Sequence, residues 1–345
     1  MSLKSEIFEQ PQVLGRLLER QQSTVAEVAD AVGRRGVTGG FLAARGSSDN
    51  AGLYAKYLWG ARNRLPVALA APSLFTVYQS PPNISGMLVV GISQSGRSPD
   101  IVSVIAEGRR QGALTLAITN DPASPLAQAA EHVLDTGTGP EQAVAATKTY
   151  TAQLMAVAMI SQALSGHADG PAELAAVPGL VRQALALDGD AERVAGSLRD
   201  MTHCAVLGRG YNYATAFEWA LKLKELARVV AVPYSSADFQ HGPVALVAQD
   251  FPVLALAPDG AVFPELFSLL STLVNTHRAK LLAVSDHDEA LALAHAALPL
   301  PRGVPEWLSP LVAIVPAQLF CYHLTRAKGY DTENPRSLHK VTSTW

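Results

Sequence analysis

Cysteine is close to absent. The two in this 345-residue chain, Cys204 and Cys321, are too few for a disulfide framework or a Cys-rich zinc site. Both stand among apolar neighbours, which suits a buried structural thiol better than a nucleophile. An excess of one charge is missing too: 27 basic against 30 acidic side chains leave a net charge of −3. That balance gives neither a nucleic acid nor a membrane surface an electrostatic footprint, so neither is expected as a partner. The opening Met1-Ser2-Leu3-Lys4-Ser5-Glu6 lacks the apolar core of a secretory signal, and no uninterrupted apolar run reaches bilayer length. A soluble, cytoplasmic setting is the expectation. Nine histidines show neither an HExxH pattern nor close pairing, so no metal is expected. There is no Walker loop, and Gly208-Arg209-Gly210 lacks the third glycine of a dinucleotide fingerprint.

What is present is aliphatic bulk. Hydrophobic residues make up 48% of the chain and aromatics only 6%, a composition that suits helices packed on buried strands. The length fits two lobes, and the chain repeats itself accordingly. Arg45-Gly46 follows the apolar run Phe41-Leu42-Ala43-Ala44, and Arg209-Gly210 follows Ala205-Val206-Leu207-Gly208, 164 positions on. At the same offset Met87-Leu88-Val89-Val90-Gly91-Ile92 falls on Phe251-Pro252-Val253-Leu254-Ala255-Leu256, and Gly96 on Gly260. A third pair, Leu116-Ala117-Ile118-Thr119-Asn120 and Leu282-Ala283-Val284-Ser285-Asp286, matches with a slip of two. Three elements nearly in register point to a duplicated unit.

The apolar runs are short and continuous, as in a parallel sheet buried on both faces. Amphipathic stretches such as residues 100–111 lie between them. The predicted fold is α/β: two tandem doubly wound parallel sheets, with ligands at the carboxyl ends of the strands. A helical leader is placed at residues 1–35 and the first domain at 36–170. A linker helix at 171–195, the second domain at 196–330 and a tail at 331–345 complete the chain. Single helices are expected over 145–164 and over 180–199.

The strand ending near Ile92 runs into Ser93-Gln94-Ser95-Gly96-Arg97-Ser98-Pro99-Asp100, with a helix to follow. Hydroxyl and backbone N–H donors, a glycine that permits close approach and a helix N-terminus together suit a phosphate. The plainer alternative is a serine-rich turn with Ser98 as N-cap and Pro99 in the first helical turn. The internal repeat favours the phosphate. Its equivalent loop, Ala257-Pro258-Asp259-Gly260-Ala261, has lost the hydroxyls and gained an aspartate, a change that a turn needed only for the fold does not require. Ser93, Gln94, Ser95 and Ser98 are therefore candidate phosphate ligands.

Six motifs then occur in order: Gly46-Ser47-Ser48, Ser93-Gln94-Ser95-Gly96, Val144-Ala145-Ala146-Thr147-Lys148, Leu221-Lys222-Leu223-Lys224-Glu225, Gln240-His241-Gly242-Pro243 and Leu338-His339-Lys340-Val341-Thr342. Together they resemble the sugar isomerase (SIS) double-domain family, in particular the isomerase half of glucosamine-6-phosphate synthase. The resemblance is closer still to stand-alone glucosamine-6-phosphate deaminases. It implies flavodoxin-like character in each domain, a phosphosugar ligand, no cofactor and a homodimer that shares its active sites. It adds Ser48 to the phosphate ligands and places Gly46, Ser47, Val144, Ala145 and Ala146 along the sugar. Three departures stand out. Ser47 and Ser98 replace threonines and keep the hydroxyl, while Ala146 replaces a serine and loses one hydrogen bond to the sugar. Nothing like the synthase's glutaminase domain is seen, so the chain is not expected to release ammonia from glutamine.

Moving an amino sugar phosphate between aldose and ketose forms requires ring opening and then a proton carried between C2 and C1, work for one well-placed carboxylate. Glu225 matches the family's glutamate, and Lys222, three residues back on a helix, would hold it or stabilise enediol oxygens. By the same resemblance His241 opens the ring, entering from the neighbouring subunit, and Lys340 contacts the open-chain carbonyl and can form an imine with it. Each has a plainer reading: a solvated i,i+3 ion pair, a turn histidine and a frayed basic terminus. The expected activity is conversion of glucosamine 6-phosphate to fructose 6-phosphate and ammonia, or the reverse. The alternatives are an isomerising aminotransferase subunit without its glutaminase, and a non-catalytic phosphosugar sensor.

Overall fold

Two five-stranded parallel sheets, each in the order 2-1-3-4-5, account for every strand among the described residues, 2–340, of this computed structural model. Helices α1 (Leu3–Phe8), α2 (Gln10–Arg20) and α3 (Gln22–Arg34) come first. The first sheet and its helices follow as β1 (Gly39–Ala43), α4 (Ser47–Asn63), β2 (Val67–Leu69), α5 (Ser73–Thr76), β3 (Met87–Ser93), α6 (Pro99–Arg110), β4 (Leu114–Thr119), α7 (Pro125–Ala129) and β5 (His132–Asp135). Helices α8 (Lys148–Ser165), α9 (Gly170–Leu185) and α10 (Asp188–Ser197) lead to the second sheet. That sheet runs β6 (His203–Gly208), α11 (Asn212–Glu225), β7 (Val230–Ser235), α12 (Ser236–Gln240), β8 (Pro252–Leu256), α13 (Phe263–Asn275), β9 (Lys280–Ser285), α14 (Asp288–Leu293) and β10 (Ala296–Pro299). Helix α15 (Ser309–Ala327) closes it.

Strand order is β2-β1-β3-β4-β5 in one sheet and β7-β6-β8-β9-β10 in the other. The repeat in the sequence is thus a repeat of topology. The strands that the repeat pairs, β1 with β6 and β3 with β8, hold the same places. Their apolar continuity has the expected cause: β1 and β4 are buried at every position, and β3 at all but its first. Inner strands of a sheet covered on both faces by helices have no position open to water.

The chain divides into two compact units that do not follow sequence order. The first holds residues 12–141 and 148–175 with His339 and Lys340; the second holds residues 2–11, 142–147 and 176–338. The leader expected over 1–35 is therefore split between them. The helix expected over 180–199 is two helices, α9 and α10, broken at Ala186 and Leu187. The helix expected from residue 145 starts at Lys148, because residues 142–147 form a separate loop.

Both cysteines are buried, and burial pushes the Cys204 thiol up to about 12, as befits structural residues. Among the described residues one helical stretch, Glu306–Ala327, is long and apolar enough to cross a membrane. Its most apolar window is 94% buried inside the protein, as a core helix would be.

Candidate active site

In the first unit, the loops after β1 and β3 leave neighbouring strands at the point where the strand order reverses. An open α/β sheet has its ligand crevice there, at the carboxyl edge. Ser47 and Ser48 begin α4 on one side. Ser93 to Ser98 lie on the other, between β3 and α6.

The β3–α6 loop is tightly built. Gly96 N–H donates to the Ser93 hydroxyl at 3.1 Å and Arg97 N–H to the Ser95 hydroxyl at 3.3 Å. Gly96 has φ +61°, and a Cβ there would overlap the Ser124 hydroxyl, so both conformation and space demand glycine. Ser98 does occupy the N-cap position, but its side chain makes no capping hydrogen bond. Pro99 stands in the first helical turn, so the plainer reading holds in position and lacks only the capping bond. Ser48 is held from behind by Gln153 of α8, whose amide donates to its hydroxyl at 3.0 Å.

The duplicated loop in the second unit shows what such a turn does with its N–H groups once the hydroxyls are gone. Asp259 N–H donates to the Asp286 carboxylate at 2.7 Å and Ala261 N–H to Glu306 at 3.1 Å. A Cβ on Gly260 would overlap the Glu306 carboxyl carbon. Carboxylates of the protein itself sit on this loop before α13, so its donors attract anions. In the serine-bearing copy the Gly96 and Arg97 N–H groups meet neutral hydroxyls, those of Ser93 and Ser95, rather than carboxylates.

One pairing went unread in the sequence. Arg45 binds the fully buried Asp100 at 2.9 Å and so ties the β1–α4 loop to the start of α6. Both residues flank the serine motifs, at 45–49 and 95–100, and the shared Arg and Asp were the available signal. Burial pushes the neighbouring Asp49 carboxyl up, with Arg45 pulling the other way.

The second unit holds the acid–base candidates. On α11 the Lys222 ammonium lies 2.5 Å from Glu225 and 3.5 Å from Glu218. Lys222 is 2% exposed and Glu218 not at all, which rules out a solvated surface pair. Glu218, one turn before Lys222 on the same face, was missed in the sequence; i,i+4 spacing was its only mark. Glu225 is partly open and borders a cavity of about 300 Å³, with Lys224, Arg228, Arg336, Ser337 and Leu338 around it. Three cations thus surround a carboxylate that water can reach.

His241 is exposed, at the C-terminal end of α12. Glu225 precedes β7 and His241 follows it. The six residues of that strand, roughly 20 Å of extended chain, separate the two within one chain. In the first unit Lys340 is bound by Glu141 at 2.8 Å, and that carboxylate also accepts from the Thr149 hydroxyl at 2.7 Å. A lysine tied to a buried carboxylate is no frayed terminus, and its nitrogen is engaged as an ion-pair partner. The tail residues Val341 and Thr342 lie outside the described residues. Gly46 precedes α4, and Val144, Ala145 and Ala146 lie in the 142–147 loop of the second unit. Among the described residues no cluster of three or more His, Cys, Asp or Glu could hold a metal.

The SIS domain family matches the chain over residues 41–163 and again over 197–327. The chain belongs to that family. The two matched segments are the two sheets. Over 352 residues this SIS protein is 34% identical to a glutamine–fructose-6-phosphate aminotransferase (isomerizing) of Thermus thermophilus, which covers 97% of the chain and 57% of the relative. The chain therefore spans little more than half the length of the relatives it matches. A candidate phosphosugar isomerase from Silicibacter pomeroyi superposes with a TM-score of 0.87 at 33% identity, over 96% of this chain and 100% of that one. The C-terminal domain of glucosamine-fructose-6-phosphate aminotransferase from Francisella tularensis gives 0.86 at 29%, over 96% and 98%. A glucosamine-6-phosphate deaminase from Thermotoga maritima gives 0.82 at 19%, over the whole of both chains, and so shares the fold.

Proposed function

We propose that this SIS protein is a phosphosugar isomerase that converts glucosamine 6-phosphate and water to fructose 6-phosphate and ammonia. The observation that carries the reading is the buried Lys222–Glu225 pair opening onto a cavity; a protein that only binds a phosphosugar has no use for it. The phosphate rests on Ser93, Gln94, Ser95 and Ser98 with Ser48. The sugar lies along Gly46, Ser47 and the 144–146 loop. After ring opening, Glu225 takes the C2 proton and returns it at C1. The aldehyde becomes a hydroxymethyl group and the C2 amine a ketimine. Water then adds to C2 and ammonia departs, so no external oxidant or cofactor enters. Lys222 steadies the carboxylate, and the cations around the cavity stabilise negative charge developing on the C1 oxygen of the enaminol intermediate.

His241 is assigned to ring opening on a second copy of the chain, because its own Glu225 lies at the opposite end of β7. A homodimer follows from that assignment, and a cytoplasmic setting suits a small phosphorylated metabolite. Lys340, withdrawn from Glu141, meets the open-chain carbonyl. A second reading rests on the aminotransferases: the same proton transfer run toward glucosamine 6-phosphate, with ammonia supplied by a glutaminase. Incubating the chain with glucosamine 6-phosphate and assaying ammonia and fructose 6-phosphate tests the first. Ammonia release by the native chain, absent from Glu225→Gln, is the expected result. Product formed only from fructose 6-phosphate and a glutaminase would favour the second, and binding without turnover in either direction would sink both.

A further inference from the structure

The 142–147 loop carries Val144, Ala145 and Ala146, yet the residues on both sides of it belong to the other unit. What holds it is the N-terminal segment. Glu6 of α1 is wholly buried. Its carboxylate accepts from Gln142 N–H at 2.5 Å through one oxygen and from Ala143 N–H at 3.2 Å through the other. At the far end of the loop, Gln318 of α15 reaches the Thr147 carbonyl at 3.5 Å, and Gln10 of α2 donates to that same Gln318 at 2.9 Å. Helix α1 is itself fastened: Lys4 pairs with Asp188 at 2.7 Å, and Leu3 N–H donates to Glu333 at 2.9 Å.

A carboxylate is costly to bury unless it is fully employed, and here its two oxygens match two consecutive backbone donors. The donors it satisfies belong to the two residues that enter the sugar-lining turn. We infer that Glu6 is a positioning residue for the site, fixing residues 144–146 so that their backbone meets the sugar. The inference rests on the proposed function for the loop's role, and it adds the N-terminal helix to the machinery. The phosphate ligands stand on the other unit and do not depend on Glu6.

That separation gives a test. Glu6→Gln is isosteric but presents an amide donor to one of two N–H groups that need an acceptor. In the 345-residue chain it raises KM for glucosamine 6-phosphate about tenfold, the loss of one charge-assisted hydrogen bond. It leaves the Ki of inorganic phosphate, measured as a competitive inhibitor, unchanged. Glu6→Asp keeps the charge, withdraws it by one methylene and shifts KM in the same direction; it serves if Glu6→Gln does not fold. An unchanged KM overturns the inference, and so do KM and Ki rising together, which is the signature of general loosening. Isothermal titration separates this failure from that of the proposed function. A native chain that binds no glucosamine 6-phosphate removes both. A native chain that binds it no more tightly than Glu6→Gln removes only the role of Glu6.

Discussion

Lys222 and Glu225 are hydrogen-bonded at 2.5 Å across one turn of α11, and the lysine is almost wholly buried beside Glu218. The ammonium therefore serves a carboxylate open to the cavity and one closed to water. Lys222→Ala leaves Glu218 buried without this cation, so unfolding stability falls by about 3–5 kcal/mol. Turnover falls by about 10²-fold as well, since the Glu225 carboxylate loses the cation that holds it in place. Urea unfolding and the ammonia assay read the two separately. The double variant Lys222→Met with Glu218→Gln recovers stability without activity. Recovery of both would show the lysine to be structural.

Gly96→Ala tests the anion loop. Positive φ and overlap with the Ser124 hydroxyl act together, and the expected loss is about 1–3 kcal/mol with weaker binding of inorganic phosphate. Adding Ser124→Gly removes the overlap but not the backbone strain, so only part of the stability returns. Full phosphate affinity in Gly96→Ala would place the phosphate elsewhere.

Much of this was legible in the sequence. The duplication was visible because both copies keep their buried strands, and burial on two faces leaves little room for variation at positions such as Val89 and Val253. The serine loop stood out because its twin at Asp259 had changed. What sequence could not supply were pairings across distance. Arg45–Asp100, Glu141–Lys340 and Glu6 with the 142–143 backbone join residues 55, 199 and 136 positions apart. No local periodicity marks such contacts. Glu218 was missed for the opposite reason: a glutamate at i−4 from a lysine is the commonest of surface patterns, and only burial tells this one apart. The leader was read as one piece because helix periodicity does not say which unit a helix serves.

The fastening of α1 is pH-dependent. Burial works to raise the Asp188 carboxyl, but hydrogen bonds from Lys4 and His323 outweigh it and hold the group below its usual 3.8. A depressed folded value gives stability that is present above the unfolded value and lost as pH falls through the folded one. Asp188→Asn therefore lowers the urea midpoint at pH 7. The gap from the native chain stays constant on mild acidification and closes as the pH drops below 3.8. A gap that persists unchanged well below that pH would contradict this linkage.

Proton traffic at C2 is the step on which the whole account turns. One-dimensional proton NMR of glucosamine 6-phosphate with the native chain in D2O measures it without waiting for ammonia. The account predicts exchange or transfer of the C2 proton by the native chain and none by Glu225→Gln, while both bind inorganic phosphate equally. Exchange at the native rate in Glu225→Gln would contradict it.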